Sequence, residues 1–345
     1  MTAPIAPTER SGDGWRRPGD HPAWGAARAG QIRHAAGNYL GVGGVLVALC
    51  ILLTVTQERF LTWANFLNIA EANADLLIVA VGMTMVLLVG GFDLSLGGLM
   101  ALVGIALWEL LDAGVPSWGA VALVILGAGL LGTVLNGFLI GKVGLSFLVV
   151  TLATGSIFRG LAQVRSGGQS QSMYQYQFLL DIGSGEWAGV PIPVLIAGAA
   201  LLVGIVLLRY TGFGRMIYAT GGNREAARLA GINVTGVSVA VFGIAALLAG
   251  IAAVMNTGRL TSASPTASLG IELTAGAAVL LGGTRFTGGR GSLLGTLMGV
   301  AFLGVLSNGL TLAGINPFWQ PVVLGVVLIA ALLVDRIRAG APEAP

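Results

Sequence analysis

Charge is what this chain has least of: 10% of its 345 residues are Asp, Glu, Lys or Arg, against about 25% in soluble globular chains. It has one cysteine, Cys50, so no intrachain disulfide can form, and the apolar run around it points to a buried, inert thiol. Its two histidines, His21 and His34, both fall near the start of the chain, away from any acidic or cysteine cluster, so no metal centre is expected. Lys142 is the sole lysine. The glycine that a GxxxxGK[ST] phosphate loop needs before Gly141-Lys142 is replaced by Asn136, so hydrolysis of ATP by a loop of its own is excluded. HExxH, GxSxG, cysteine clusters and paired mid-span carboxylates are missing as well, which leaves an enzymatic reading without residues to carry it. A GxGxxG pattern does occur at Gly127, Gly129 and Gly132, but inside an apolar run with no preceding strand. Packing of helices through small residues accounts for it.

What is abundant is apolar. Hydrophobic residues make up 55% of the chain, there are 55 glycines, and mean hydropathy is +0.86. Apolar segments fall at roughly 38–56, 74–91, 96–114, 117–140, 144–162, 192–210, 237–256, 271–283, 292–313 and 317–335. Most approach the ~20 residues a helix needs to cross ~30 Å of hydrocarbon. They are too long and uniform for barrel strands. The expected fold is all-α: a polytopic membrane bundle of about ten helices over residues 37–336, with broken helices where Gly-rich boundaries interrupt the runs. Residues 1–36, rich in Pro, Gly, Ala and Arg, read as a disordered tail rather than a cleaved signal peptide, and 337–345 as a short second tail.

Basic residues set the orientation. With the N-terminus inside, Arg10, Arg16, Arg17, Arg28, Arg33, Lys142, Arg209, Arg215, Arg224, Arg228, Arg285, Arg290, Arg336 and Arg338 all fall on the cytoplasmic side. Only Arg59, Arg159, Arg165 and Arg259 fall outside. Both termini are therefore expected in the cytoplasm. The net charge of +3 follows this sorting and gives no reason to invoke nucleic acid.

One polar stretch divides the apolar halves, Thr211 to Gly236. Gly221 and Gly222 are expected to break the chain, Asn223 to cap a short helix, and Gly231 to close it. Arg224 and Arg228 then share one face. A capped basic helix between two spans suits a soluble partner, and an ordinary inside loop held by its arginines is the competing reading.

Two segments echo each other. Val86-Leu-Leu-Val-Gly-Gly-Phe92 and Val279-Leu-Leu-Gly-Gly-Thr284 are each an apolar half-helix running into a Gly-rich turn, with breaks at Gly90-Gly91 and Gly282-Gly283. Interrupted helices in matching places are typical of transporters. Asp93 follows the first break, where an acid favours the start of the next helix; proton or substrate binding is the alternative. Asn136, Ser146, Thr151, Asn256 and Asn308 are uncharged hydrogen-bonding groups. As a set they suit a neutral polyhydroxylated solute better than an ion, although each alone is more readily explained as an interhelical hydrogen bond. Phe147 and Phe158 offer aromatic faces to a sugar ring or to the core.

With these residues in view, the chain resembles the permease subunits of bacterial ABC-type sugar importers, the ribose/xylose/galactose group. The matching stretches are Gly82-Met-Thr-Met-Val with Gly90-Gly-Phe-Asp-Leu-Ser-Leu-Gly97; Ser146-Phe-Leu-Val-Val-Thr-Leu152 leading to Arg159-Gly; the segment from Thr211 to Asn233; and Leu281-Gly-Gly-Thr-Arg-Phe-Thr-Gly-Gly-Arg-Gly-Ser292 with Ser307-Asn-Gly-Leu310. They run in order over residues 40 to 336. Arg285-Phe286 departs from the family's small polar or aliphatic residues.

The resemblance implies an inner-membrane protein that pairs with a second permease subunit, most simply a copy of itself. An ABC ATPase that uses ATP-Mg and an extracytoplasmic sugar-binding protein would complete the importer, and this chain would bind no cofactor. It also implies that Gly222, Asn223, Arg224, Glu225, Ala226, Ala227, Arg228, Leu229 and Gly231 form the helix that couples to the ATPase. Asn136, Ser146, Phe147, Thr151 and Asn308 are the candidates for the substrate path. A permease for branched-chain amino acids or nucleosides is the alternative within the group. An ion-coupled carrier would instead predict intramembrane acid pairs and no docking helix.

Overall fold

Apolar runs of this length fold as helices because in lipid only intrasegment hydrogen bonds satisfy the backbone. The computed structural model describes residues 42–323 together with 325, 326 and 329. The tails at 1–36 and 337–345, both histidines, the start of the first apolar run and about half of the last one at 317–335 lie outside the described residues.

In chain order the helices are α1 (Val42–Thr56), α2 (Trp63–Ala72), α3 (Ala74–Leu88), α4 (Leu96–Asp112), α5 (Ser117–Gly141), α6 (Phe147–Ser166), α7 (Gln177–Ser184), α8 (Ile192–Tyr210), α9 (Gly212–Gly222), α10 (Arg224–Leu229), α11 (Val234–Arg259), α12 (Ile271–Leu281) and α13 (Leu293–Leu312). Strand is confined to short pairs: Gln171–Ser172 against Ser262–Ala263, and Glu186–Trp187 against Val190–Pro191.

Five of these helices, α5, α6, α8, α11 and α13, are long and apolar enough to cross a membrane, and α2 with α3 makes a sixth span bent by 49°. The described residues thus hold five or six full spans where hydropathy counts ten runs. Part of the difference is that the runs at 38–56 and 317–335 extend beyond the described residues, and part has a physical cause. The runs at 74–91 and 271–283 stop at glycines, leaving helices of 15 and 11 residues, and α12 covers about half of the ~30 Å hydrocarbon. Hydropathy also misses α2, whose sequence WANFLNIAEA mixes polar and apolar residues.

α3 and α11 form the centre. Every residue of α3 except Leu77 is buried, and 72% of the most apolar window of α11 is buried, against 28–33% for α5, α6 and α8. The outer helices turn Leu123, Leu126, Leu130, Val149, Leu202 and Val206 outward, as a lipid-facing surface requires. α5 meets α11 through small residues: a Cβ on Gly132 would stand 2.8 Å from the Phe242 carbonyl oxygen, and one on Gly137 2.8 Å from that of Val239. Close backbone approach of this kind is the usual membrane packing device, and Gly129 and Gly132 of the GxGxxG pattern serve it. Between Gly132 and Gly137, α5 widens into a π-helical turn that carries Asn136.

Candidate functional site

The polar stretch folds from its own capping signals. The Thr211 hydroxyl accepts from the Gly214 N–H at 3.2 Å to open α9, and the Asn223 side chain accepts from the Ala226 N–H at 2.9 Å to open α10. α10 closes with the Gly231 N–H bonded to the Arg228 carbonyl and the Ile232 N–H to that of Ala227, both at 3.0 Å, a Schellman stop. Gly231 has the positive φ, 81°, that this stop needs. Of the nine candidate coupling residues only Ala227 is buried. Gly222, Asn223, Arg224, Glu225, Ala226, Arg228, Leu229 and Gly231 are exposed. Leu229 is 82% exposed, an apolar knob on a basic helix. The Glu225–Arg228 pair at 3.6 Å is solvated and stabilises little.

Gly221 and Gly222 do not break the chain. They complete α9, and the break falls at Asn223. The reason Gly221 is a glycine is contact: a Cβ there would overlap the Leu88 carbonyl oxygen and stand 2.6 Å from the Gly289 nitrogen. Those two atoms are bonded to each other, the Gly289 N–H donating to Leu88 at 2.9 Å. Nearby, the Tyr218 hydroxyl donates to the Gly291 carbonyl at 3.0 Å. The end of α9 therefore rests on both Gly-rich breaks at once.

The two echoing segments share one stop. At the first, the Gly90 and Gly91 N–H groups bond the Leu87 and Val86 carbonyls, both at 2.9 Å. At the second, Gly283 and Thr284 bond Leu280 and Val279 at 2.9 and 3.2 Å. In each, the glycine at the turn, Gly90 or Gly283, has φ above 80°. Gly91 and Gly282 flank them. α3 and α12 thus end alike, and the two ends lie side by side at what we call the basic end of the bundle, with Arg224, Arg228, Arg285 and Arg290 around it.

Beyond the first break the chain turns back into the bundle. Asp93 is fully buried, and its Oδ1 accepts from the Ser95 N–H at 2.9 Å and the Ser95 hydroxyl at 2.6 Å. The Asn136 amide donates to both carboxylate oxygens at 3.3 Å and to the Ser95 hydroxyl at 2.8 Å, while the Thr154 hydroxyl donates to the Asn136 carbonyl oxygen at 2.8 Å. This network ties the break to α5 and α6. It occupies every polar atom of Asn136.

The structure does not gather the five path candidates into one place. Thr151 is buried, its hydroxyl donating to the Phe147 carbonyl at 2.8 Å. Phe147 is half-buried, and its ring lies 6.5 Å from that of Phe286, which is 5.9 Å from Phe92. Ser146 is exposed just before α6. Asn308 sits apart, in a reciprocal amide pair with Asn65 of α2 at 2.8 and 3.1 Å.

Sequence reasoning passed over several polar residues that the fold places inside. Asp75, in the first turn of α3, accepts from Asn256 at 2.8 Å and pairs with Arg259 at 3.5 Å. Thr84 and Thr296 share a hydrogen bond of 2.7 Å between buried hydroxyls. Glu272 lies in the first turn of α12. Arg159, assigned outside from charge sorting, lies within α6, because that helix continues to Ser166 and carries a further, exposed charge at Arg165, bonded twice to Glu109 at 2.7 and 2.8 Å. A lone acid in an apolar run was the available signal for Asp75 and Glu272.

Comparison with known proteins places this geometry. Residues 65–332 match the family described as "Branched-chain amino acid transport system / permease component". The chain is 40% identical to the ribose import permease of Bacillus subtilis (strain 168) over 314 residues, covering 89% of this chain and 94% of that protein. It is 38% identical to the ribose import permease of Escherichia coli (strain K12), over 84% of this chain and 92% of the relative. Similarity to the L-arabinose transport system permease of Escherichia coli (strain K12) is 35%, over 86% and 90%. No solved structure matches. A helical bundle with two matching helix breaks and an exposed capped helix, similar to these proteins along nearly its whole length, belongs to the permease-component family of transport systems.

Proposed function

We propose that this chain is the permease subunit of an ATP-driven importer that carries a neutral monosaccharide of the ribose, arabinose or allose kind across the bacterial inner membrane. The observation that carries the reading is the run of sugar permeases to which it is similar over at least 84% of its length, two for ribose, one for arabinose and one for allose. The family description names branched-chain amino acids, so membership alone leaves the cargo open, and the sugar permeases decide between the two.

In this reading the basic end faces the cytoplasm, and two copies of the chain form the path. α10 seats in an ATPase subunit that uses ATP-Mg, and a binding protein delivers sugar from outside. Leu229 is the buried anchor of the docked helix and Arg224, Glu225 and Arg228 its polar rim, which is how anchors and rims divide at interfaces generally. Movement of α10 reaches both helix breaks through Gly221, because nothing separates its backbone from Leu88 and Gly289. Ser146 and Phe147 belong to the cytoplasmic mouth, while Asn136, Thr151 and Asn308 hold helices together.

The test is reconstitution of the complex with the ATPase and binding protein of the same system, with uptake of labelled ribose, arabinose and leucine measured in parallel. ATP-dependent uptake of a sugar and not of leucine is expected. Leu229→Asp is expected to reduce recovery of the ATPase by about tenfold or more, as a hot-spot anchor does, with unchanged permease yield. ATP-dependent leucine uptake without sugar uptake refutes the cargo, and full ATPase recovery in Leu229→Asp refutes the docking role.

A further inference from the structure

We infer that Arg159 and Glu272 together form the station that holds the sugar midway along its path, an inference that rests on the importer reading above. Depth is the first argument. Gly282, at the basic end, is ten residues beyond Glu272, so about 15 Å of α12 separates them. Arg159 stands twelve residues along α6 from Phe147, which the Phe286 ring contact fixes at the same end, or about 18 Å. Both ionisable groups therefore lie near the middle of a ~30 Å hydrocarbon layer, where charge is expensive and its retention marks function.

Partnership is the second argument. The other acids inside the bundle are satisfied: Asp93 by Ser95 and Asn136, Asp75 by Asn256 and Arg259. Glu272 is not. Its Oε2 is buried without a hydrogen-bond partner among the described residues. Arg159 reaches the Pro265 carbonyl through one long bond of 3.4 Å. The guanidinium is near enough to act on the Glu272 carboxylate through space, yet the two are absent from the ion pairs of the described residues. Its place in the first turn of α12, beside the backbone N–H groups of Gly97, Gly270 and Glu272 itself, makes an acid tolerable there, but none of them makes a well-formed hydrogen bond to Oε2. Gly97, in the first turn of α4, leaves the room the carboxylate fills, since any side chain there would strike Oε2 and the Ser268 carbonyl.

Chemistry is the third. A carboxylate accepts hydroxyl protons and a guanidinium fork donates to neighbouring oxygens, so two adjacent sugar hydroxyls can bridge what the pair leaves open. Together the two groups carry no net charge, which suits a neutral solute. An amino-acid zwitterion would use the same groups by charge, and the test separates the two.

The experiment uses the complete reconstituted importer, with labelled D-ribose, 2-deoxy-D-ribose and leucine, and reads cargo moved per ATP hydrolysed alongside recovery of the assembled complex. For Glu272→Gln, which keeps shape and hydrogen-bonding capacity but not charge, sugar per ATP is expected to fall by about tenfold, and the preference for ribose over its deoxy analogue to narrow against wild type. The binding protein is identical in both, so a narrowed preference reports the path. Arg159→Lys, which keeps charge but loses the fork, is expected to narrow it in the same way. Wild-type coupling and preference in both variants overturn the inference. So does failure of both to assemble, because the two groups would then be structural, and so does uptake that is confined to leucine. A wild-type complex that moves no sugar refutes the importer reading itself, and that result is seen before any variant is made.

Discussion

Replacing Gly221 with alanine adds one methyl group where three backbone segments cross. The new Cβ would overlap the Leu88 carbonyl oxygen and stand 2.6 Å from the Gly289 nitrogen. Neither neighbour is a side chain that can swing aside, and the two are joined by a 2.9 Å hydrogen bond. Overpacking of this kind costs about 1–3 kcal/mol, and losing a hydrogen bond shielded from water adds about 1 kcal/mol. Alanine returns roughly 1 kcal/mol through its better helix propensity. The net expectation is a loss of about 1–3 kcal/mol. Gly222→Ala is the control, one residue further in the same helix, where a Cβ meets nothing within 4 Å. It is expected to be neutral or slightly stabilising. Thermal unfolding of the purified permease in detergent, followed by size-exclusion recovery, compares them directly. A lower midpoint for Gly221→Ala alone is expected. Equal midpoints, or a larger loss for Gly222→Ala, would refute the account of the junction.

Asp93→Ala strands the Ser95 N–H, the Ser95 hydroxyl proton and the Asn136 amide proton not bonded to Ser95 in a dry site, at about 1–3 kcal/mol for each unsatisfied group. Folded yield by size-exclusion should collapse, while Asp93→Asn, which keeps one acceptor, should lose less. Normal yield with altered sugar choice would instead put Asp93 in the path. For the Asn65–Asn308 amide pair, each single alanine substitution removes both amide–amide bonds, leaving Asn308 unpaired or Asn65 with its bond to the Phe60 carbonyl alone, so the double variant should be less destabilised than the sum of the singles by about 0.5–1 kcal/mol. Strict additivity in unfolding midpoints would mean the pair contributes nothing.

Features decided by local chemistry were legible. Asn223 and Gly231 bound α10 because a cap and a Schellman glycine act over a few residues, and the echo at Val86 and Val279 reappears as two identical helix stops for the same reason. Features decided at a distance were not. Asn65 and Asn308 lie 243 positions apart, Asp75 and Asn256 181, and hydropathy carries no sign of either pairing. The π-helical turn that carries Asn136 lies where Gly132 and Gly137 of α5 pack against α11, a contact hydropathy does not report. Gly221-Gly222 read as a chain break because glycine signals turns far more often than close contacts. Arg159 read as an outside charge because charge sorting weighs where a run ends, and α6 ends four residues beyond the apolar run at 144–162.

The burial of α3 explains why a small displacement at its end would matter. Near its start Asp75 holds Asn256 of α11, in its middle Thr84 holds Thr296 of α13, and at its close the Leu88 carbonyl holds Gly289. Each contact is a hydrogen bond among buried groups, where an unmade partner is costly and a slide along the helix is not smoothly accommodated. A displacement delivered through Gly221 cannot be absorbed by bending a helix whose surface is almost wholly packed. It must either be resisted by all three bonds or carry α3 and its partners together. That is the mechanical behaviour an importer needs if a helix docked outside the bundle is to change the openings at its two ends.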